Sequence, residues 1–302
     1  MEIQKYRTCY PVYTHLGEEV VMPDTSVDEN CILNLRKRPL DRSTYHISCC
    51  GTVQKDLESF LEDPVYSWMF RDRTSREFVY SMLGKVIVPK SVVEVTEYFK
   101  EKDPYTYRHM FVVFAVSTHL ISRLEAAVDF SNISMGSICH DLGKCSVPLD
   151  ILQKETPLTI AQRSHIEHHS LAGFALLNYY ADSDAAETYS LFARDHHECK
   201  DGSGYPAGVC LSDLMTEIVI ASDIYDALLS PRPYRKSSYD NRTAIEEIAA
   251  RALKGKISES VVQALVASNR KDDPHWRNCA IQGVQRGTPP SDNNYGLLLD
   301  RD

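Results

Sequence analysis

Residues 108–127 read RHMFVVFAVSTHLISRLEAA, a long apolar-leaning run without Gly or Pro whose period fits a buried helix. Further segments of helical period follow at Ser134–Asp141, Thr159–Tyr180, Ala185–Glu198, Leu211–Leu229, Asn241–Leu253 and Ser258–Ser268. Together they predict a mostly α fold, with a helical bundle domain of about seven helices over residues 101–271. The punctuation agrees: Thr159 stands three before Gln162 at capping-box spacing, and Gly255 closes the segment that ends at Leu253. Upstream, residues 1–100 are mixed. Tyr10–Tyr13 (YPVY) and Glu19–Met22 (EVVM) are β-like, with turn signals at His15–Gly17 and Pro23–Asp24. Helical period is weak there, around Val53–Leu61 and Glu77–Leu83, so a small α+β or helical N-terminal module is expected. Downstream, residues 272–302 contain RGTPPSDNN and are expected to form a loosely ordered tail.

A chain of 302 residues fits one large domain or a main domain with a smaller partner. Its 43% hydrophobic and 25% charged residues, with only 13 Gly and 14 Pro, exclude collagen-like and wholly disordered classes. Lys and Arg number 33 against 42 Asp and Glu, a net charge of −9 that repels polymeric nucleic acid and acidic membranes. An anionic ligand must therefore be held by local positive groups. The stretch Met110–Ile121 is interrupted by Ser117, Thr118 and His119 and falls short of the roughly 20 residues a membrane span needs, so no membrane insertion is expected. The start, MEIQKYRTCYP, lacks a secretory h-region. Nine irregularly spaced cysteines without a C-x-x-C pair fit free thiols in a reducing compartment, and a cytoplasmic location is expected.

Most of the 11 histidines fall between positions 109 and 197, several beside carboxylates. His140–Asp141 ends an apolar helix. Neighbours on a helix diverge by roughly 100°, so such a pair reaches two adjacent points in a cleft, and the carboxylate can bridge two metals while the imidazole serves one. Taken alone, an HD dipeptide is more often a packed histidine beside a cap. His196–His197 is a second pair, in HHECKDGSGYP, although bare histidine pairs are common on surfaces. His165, His168 and His169 form a third group, in which His165 and His169 share a helix face and periodicity does not choose the ligand. Asp223 lies in the apolar run IVIASDIYDAL, where burial is costly unless the carboxylate is paired or metal-bound; Asp226 has the better claim to a plain satisfied carboxylate.

The strings HDLGK (140–144), a histidine four residues before a glycine (His169 to Gly173), HHECKDGSGYP (196–206) and SDIYDALLSPRPYR (222–235) occur in that order. In this the stretch from about 103 to 270 resembles the HD-GYP family of cyclic di-GMP phosphodiesterases, a subgroup of the HD-domain phosphohydrolases. The resemblance implies an HD-type helical bundle with metal ligands at His109, His140, Asp141, His169, His196, His197 and Asp223. His109 follows KDPYTYR, similar to the family's lead-in to that helix. Asp141 and Lys144 are the implied catalytic residues. Lys144, Arg232 and Arg235 match positions that contact phosphates, and Gly204, Tyr205 and Pro206 complete the implied substrate-binding set. His165 and His168 revert to structural roles, and Cys139, Cys145 and Cys199 match no ligand position.

The implied activity is hydrolysis of cyclic di-GMP to pGpG and then GMP, with a hydroxide shared by two metals as nucleophile. Two transition-metal ions per chain are expected, Fe or Mn being favoured by mixed His/Asp coordination without thiolate. Some members hold a third metal through a Glu four residues before the upstream histidine; here that position is Tyr105, and two metals are expected. Alternatives are a receptor that binds cyclic di-GMP or docks a GGDEF-type cyclase without turnover, and a phosphodiesterase for another cyclic dinucleotide. Seven complete ligand positions favour turnover. Expected partners are cyclic di-GMP, GGDEF-type proteins and a second copy of the chain as a homodimer. The N-terminal residues lie outside the resemblance; they are too few for a receiver domain, and no acidic pair marks a strand end near Glu18–Glu19. A regulatory element, a dimerisation element and a lid remain open for them.

Overall fold

The computed structural model describes residues 6–125, 130–181, 184–232, 235–291 and 298–299. The N-terminal part alternates short strands and helices: β1 (Val12–Tyr13), β2 (Glu19–Val21), α1 (Glu29–Arg36), β3 (Thr44–His46), α2 (Val53–Leu61), α3 (Arg73–Leu83), β4 (Ile87–Pro89) and α4 (Lys90–Lys102). β1 and β2 pair antiparallel, and β3 pairs antiparallel with β4 in the register Thr44↔Pro89, Tyr45↔Val88 and His46↔Ile87. Then comes the bundle: α5 (Pro104–Leu124), α6 (Phe130–Cys139), a 3-10 turn at Leu142–Ser146, α7 (Leu149–Leu152), β5 (Leu158–Thr159), α8 (Ile160–Glu167), α9 (His169–Tyr180), α10 (Asp184–Asp195), α11 (Leu214–Leu229), α12 (Asn241–Leu253) and α13 (Glu259–Ser268). A last strand, β6 (Leu298–Leu299), lies parallel to β5. The fold is mostly helical, and no helix among the described residues is long and apolar enough to cross a membrane.

α5 is the axis. It starts where Asp103 accepts the amide of Thr106 with Pro104 in the first turn, and it stops where Glu125 turns left-handed at φ 52°. Its flanks are buried almost all round, as an apolar helix inside a bundle must be, with α11, α6, α4 and α13 packed on it. Residues of the N-terminal part, among them Leu57, Leu61, Val92, Val95 and Phe99, join Phe111, Val112 and Phe114 of α5 in one continuous core. The hairpin β1–β2 leans on the 3-10 turn, where Tyr13 N donates to Ser146 Oγ at 2.9 Å.

The capping box at Thr159 and Gln162 is formed, and Gly255 takes a left-handed conformation at φ 71° beyond α12. The segment expected as one helix over Thr159–Tyr180 is instead broken at His168 into α8 and α9. The imidazole of His169 turns back and donates from Nδ1 to Ile166 O at 2.5 Å, competing for the carbonyl that an unbroken helix reserves for the amide four residues on. α9 is buried throughout, whereas α8 keeps a solvated face. Residues 292–297 and 300–302 of the expected tail and Pro233 and Tyr234 of the RPYR string lie outside the described residues.

Candidate metal centre

The His–Asp pair stands where α6 ends and the 3-10 turn begins, and two glycines place it. A Cβ on Gly143 would lie 2.0 Å from His169 O and 2.3 Å from Gly173 N. Only glycine lets the turn press onto α9 so closely, which explains why His169 and Gly173 are spaced four apart beside HDLG. The contact brings Asp141 to the first turn of α9.

Asp141 is 1% exposed and its two oxygens face different partners. Oδ2 lies 3.5 Å from His109 Nε2, 3.4 Å from His140 Nε2 and 2.5 Å from Lys144 Nζ. Oδ1 lies 3.3 Å from His169 Nε2 and 3.8 Å from His196 Nε2. Asp223, from α11, adds Oδ1 at 3.0 Å from His109 Nε2, and His197 Nε2 is 3.2 Å from His169 Nε2. Two donor groups result, His109, His140 and Asp223 on one side and His169, His196 and His197 on the other, with the Asp141 carboxylate between them.

Three of the imidazoles are oriented by a backbone carbonyl at the other nitrogen. His140 Nδ1 meets Ser137 O at 2.7 Å, His169 Nδ1 meets Ile166 O, and His196 Nδ1 meets Phe192 O at 3.0 Å and Ala193 O at 2.9 Å. A carbonyl accepts only, so Nδ1 carries the hydrogen and Nε2 keeps its lone pair. The Nε2 atoms of His169 and His196 then face each other at 3.1 Å with no proton between them, and the buried Nε2 of His140 has no hydrogen-bond partner. Converging lone pairs in a buried place are unfavourable unless a cation sits among them.

The electrostatics point the same way. Burial raises the Asp141 carboxyl, but the positive charge beside it, Lys144 foremost, outweighs burial and holds it well below the usual carboxylate range. Asp223 and Asp226 are also buried and are likewise pulled down against burial, chiefly by His109, with Arg108 helping at Asp226. Burial lowers His109, yet Asp223 and Asp226 outweigh it and raise it: in the absence of a metal this ring is asked to carry a proton between carboxylates. Burial pushes His197 down to about 3 and holds His196 well below its ordinary value, with neighbouring imidazoles adding to it, so both present neutral rings. Neutral imidazoles and ionised carboxylates are the states that ligate metals. The donor set fits divalent cations.

Of the remaining expected residues, Lys144 is on Asp141. Gly204 lies so near the HHE segment that a Cβ would come within 2.4 Å of Glu198 Cα and His197 O. Tyr205 stacks on His197 at 4.6 Å and its amide donates to His197 O, so the GYP loop braces that ligand. Pro206 follows, in the same loop. Arg232 lies over the ring of Tyr105 at 4.9 Å, and Tyr105 in turn stacks on His109 at 5.7 Å, which puts Arg232 at the edge of the His109 group. Arg235 is placed differently from expectation. It is 2% exposed, and Nη2 donates to Ala227 O, Leu228 O and Ser230 O at 2.7–2.9 Å, so it closes the end of α11 rather than presenting its guanidinium to a phosphate. His165 stacks face to face with Tyr10 at 4.0 Å and His168 packs edge-on to the same ring, outside the converging donors. Cys139 and Cys145 are buried free thiols, and Cys199 is a free thiol at intermediate exposure.

Two functional residues escaped the reading from sequence. Asp226 is fully buried and holds His109 Nδ1 with Oδ2 at 2.6 Å; its place three residues after Asp223, on the same face of α11, was the available signal. Glu198, inside the quoted string but given no role, accepts the amides of Ala207, Gly208 and Val209 and so shapes the GYP loop.

A helical bundle that converges five histidines and two aspartates on a shared carboxylate defines the class of HD-domain proteins, whose clusters bind divalent metals. Residues 120–261 match the family described as HD domain. A cyclic di-GMP phosphodiesterase of Thermotoga maritima is 32% identical over 257 residues, 80% of this chain and 68% of that protein. In Vibrio cholerae, 3'3'-cGAMP-specific phosphodiesterase 1 is 29% identical over 68% of this chain and 46% of its own length, and 3'3'-cGAMP-specific phosphodiesterase 3 is 33% identical over 61% and 38%. The chain thus spans less than half of those two relatives. It belongs to the HD-GYP type of the HD-domain phosphohydrolase family.

Proposed function

We propose that the chain is a metal-dependent phosphodiesterase that opens cyclic di-GMP to pGpG and then gives GMP, using two transition-metal ions, Fe or Mn. The observation that carries this reading is Asp141, whose oxygens face two separate donor groups. When bound, the ions supply Lewis-acid stabilisation of the phosphate oxygens and a water of lowered pKa. The protein's own residues do the rest. Four carbonyls and Asp226 hold the Nδ1 side of His109, His140, His169 and His196, so the Nε2 of each of these keeps its direction, and Tyr205 stacks on His197. Lys144 fixes Asp141 and adds positive charge beside the reacting phosphate. Arg232, carried on Tyr105, takes the second phosphate of the ring, and its planar fork suits that anion. Tyr105 in place of a carboxylate favours two ions over three. GGDEF-type cyclases and a second copy of the chain are the protein partners that go with this reading.

The names of the Vibrio relatives favour a second substrate, 3',3'-cGAMP, for the same machinery. Protein purified without oxygen, analysed for metal and then assayed on both cyclic dinucleotides by chromatography, tests the proposal. About two Fe or Mn per chain with linear dinucleotide as product is expected. Binding of either dinucleotide without turnover by metal-replete protein would replace catalysis with a receptor role. Arg232→Ala is expected to raise KM for the cyclic dinucleotide with a smaller fall in kcat, and to leave bis(p-nitrophenyl) phosphate, which has one phosphate, nearly unaffected.

A further inference from the structure

Tyr66 lies in a 3-10 turn at Pro64–Tyr66, far outside the matched family region, yet it reaches the metal centre. Its side chain is fully buried, and its hydroxyl donates to Asp226 Oδ1. Arg108 joins the pair, with Nη2 donating to the Tyr66 hydroxyl at 2.9 Å and Nη1 to Asp226 Oδ1 at 3.0 Å. The hydroxyl of Ser230 donates to the same Oδ1 at 3.1 Å. Three donors therefore fix one oxygen of Asp226, and this leaves Oδ2 a single direction, toward His109 Nδ1 at 2.6 Å. The far nitrogen of His109 faces Asp141 and Asp223.

We infer that Tyr66 is a positioning residue, through which the N-terminal part of the chain sets the orientation of His109 and hence the affinity of one of the two metal positions. The phenol accepts from Arg108, so its own hydrogen is directed to Asp226. Without it the carboxylate can turn about its Cβ–Cγ bond and offer His109 a poorer acceptor. Partners behind a ligand matter to metal retention, typically by 10- to 100-fold. Tyr66 stands one residue further back, and an effect of about 10-fold is expected. The inference rests on the metal-centre reading but not on which phosphodiester is cleaved.

The test uses the full chain and manganese(II), with retention of each ion read by chelator competition without substrate. Tyr66→Phe removes only the hydroxyl. It is expected to weaken one of the two ions about 10-fold, to leave the other as in the parent protein, and to change the melting temperature of the metal-free form little. Asp226→Asn should weaken the same ion at least as much, and the double variant should be no worse than Asp226→Asn, because Tyr66 acts through Asp226. Parental retention of both ions in Tyr66→Phe overturns the inference. So do additive losses, or equal weakening of both ions together with a less stable metal-free protein. Should the phenylalanine variant not fold, Arg108→Lys takes its place, since a single nitrogen cannot reproduce the fork in which Nη1 holds Asp226 and Nη2 the Tyr66 hydroxyl: selective loss of one ion supports the role and unchanged retention refutes it. A parent protein that binds no manganese would overturn the metal centre itself, and this inference with it.

Discussion

Gly143→Ala adds one methyl group at the point where the 3-10 turn meets α9. That carbon would stand 2.0 Å from His169 O, 2.3 Å from Gly173 N and 2.9 Å from Gly173 Cα. All three are backbone atoms, so no rotamer change relieves the clash. Ordinary contact begins at 3.4 Å, and the turn must retreat from α9 by about 1.4 Å or α9 must bend by the same amount. Asp141 is two residues away and its Oδ1 is 3.3 Å from His169 Nε2, whereas metal coordination tolerates roughly 0.2 Å. The carboxylate then serves one donor group and loses the other. Forced overpacking costs about 1–3 kcal/mol, which for a chain of this size lowers the melting temperature by roughly 2–5 °C. Thermal unfolding of the metal-free protein and elemental analysis of the loaded protein read the two effects separately. Gly173→Ala is the graded comparison. Its Cβ would meet Ala193 Cβ at 3.1 Å and Gly143 N at 3.2 Å, contacts that a few tenths of an ångström relieve, so a smaller loss is expected. A Gly143→Ala protein that melts like its parent and holds a full complement of metal would refute the claim that this close approach positions Asp141.

Asp141→Asn should abolish hydrolysis and lower metal content at both positions, because each donor group loses its shared anion; full activity with normal metal content would sink the two-sided role. Arg235→Ala should cost about 2 kcal/mol of stability, through three carbonyls left without their charged donor, while the folded protein keeps its KM, as urea unfolding and steady-state kinetics would show. His119 is held neutral, since burial and then Arg123 push it down to about 4 from 6.5. The unfolded chain therefore binds the extra proton first, and the native state loses up to ~1.4 kcal/mol per pH unit as pH falls from 6.5 to 4. His119→Gln should flatten that acid limb by one proton, an effect absent at pH 7.5; an unchanged slope in urea titrations at pH 5 and 7 would show that His119 is already charged in the fold.

Helices whose burial is continuous could be read from period alone, and α5 and α11 are where the apolar runs put them. α1 could not, because ENCILNLR is short and half polar and holds its place by the cap at Asp28 and by contact with α9. The break between α8 and α9 was equally hidden, since it follows from where one imidazole finds its carbonyl. Pattern read Asp226 as a plain satisfied carboxylate and gave no sign that it holds His109. Asp223 and Asp226 are both carboxylates on the same apolar helix, and what distinguishes them is a tyrosine 160 positions upstream. Arg235 misled for a related reason: a charged residue in a family string reads as a ligand contact until the carbonyls at the end of α11 are seen around it.

The two donor groups are supported by different parts of the chain, and this has a consequence for how the site can be tuned. His109 and Asp223 hang from α5 and α11, with Asp226, Arg108 and Tyr66 behind them. His169, His196 and His197 hang from the start of α9 and the end of α10, with backbone carbonyls and the GYP loop behind them, and Glu198 holds that loop. Asp141, on the turn that Gly143 seats against α9, is the group they share. A disturbance entering through the N-terminal part at Tyr66 therefore meets the His109 group first and reaches the other through the shared carboxylate and the edge-on contact of His140 with His196. Tyr66→Phe and Gly143→Ala should accordingly differ in kind: the first graded and confined to one ion, the second felt by the carboxylate that both need.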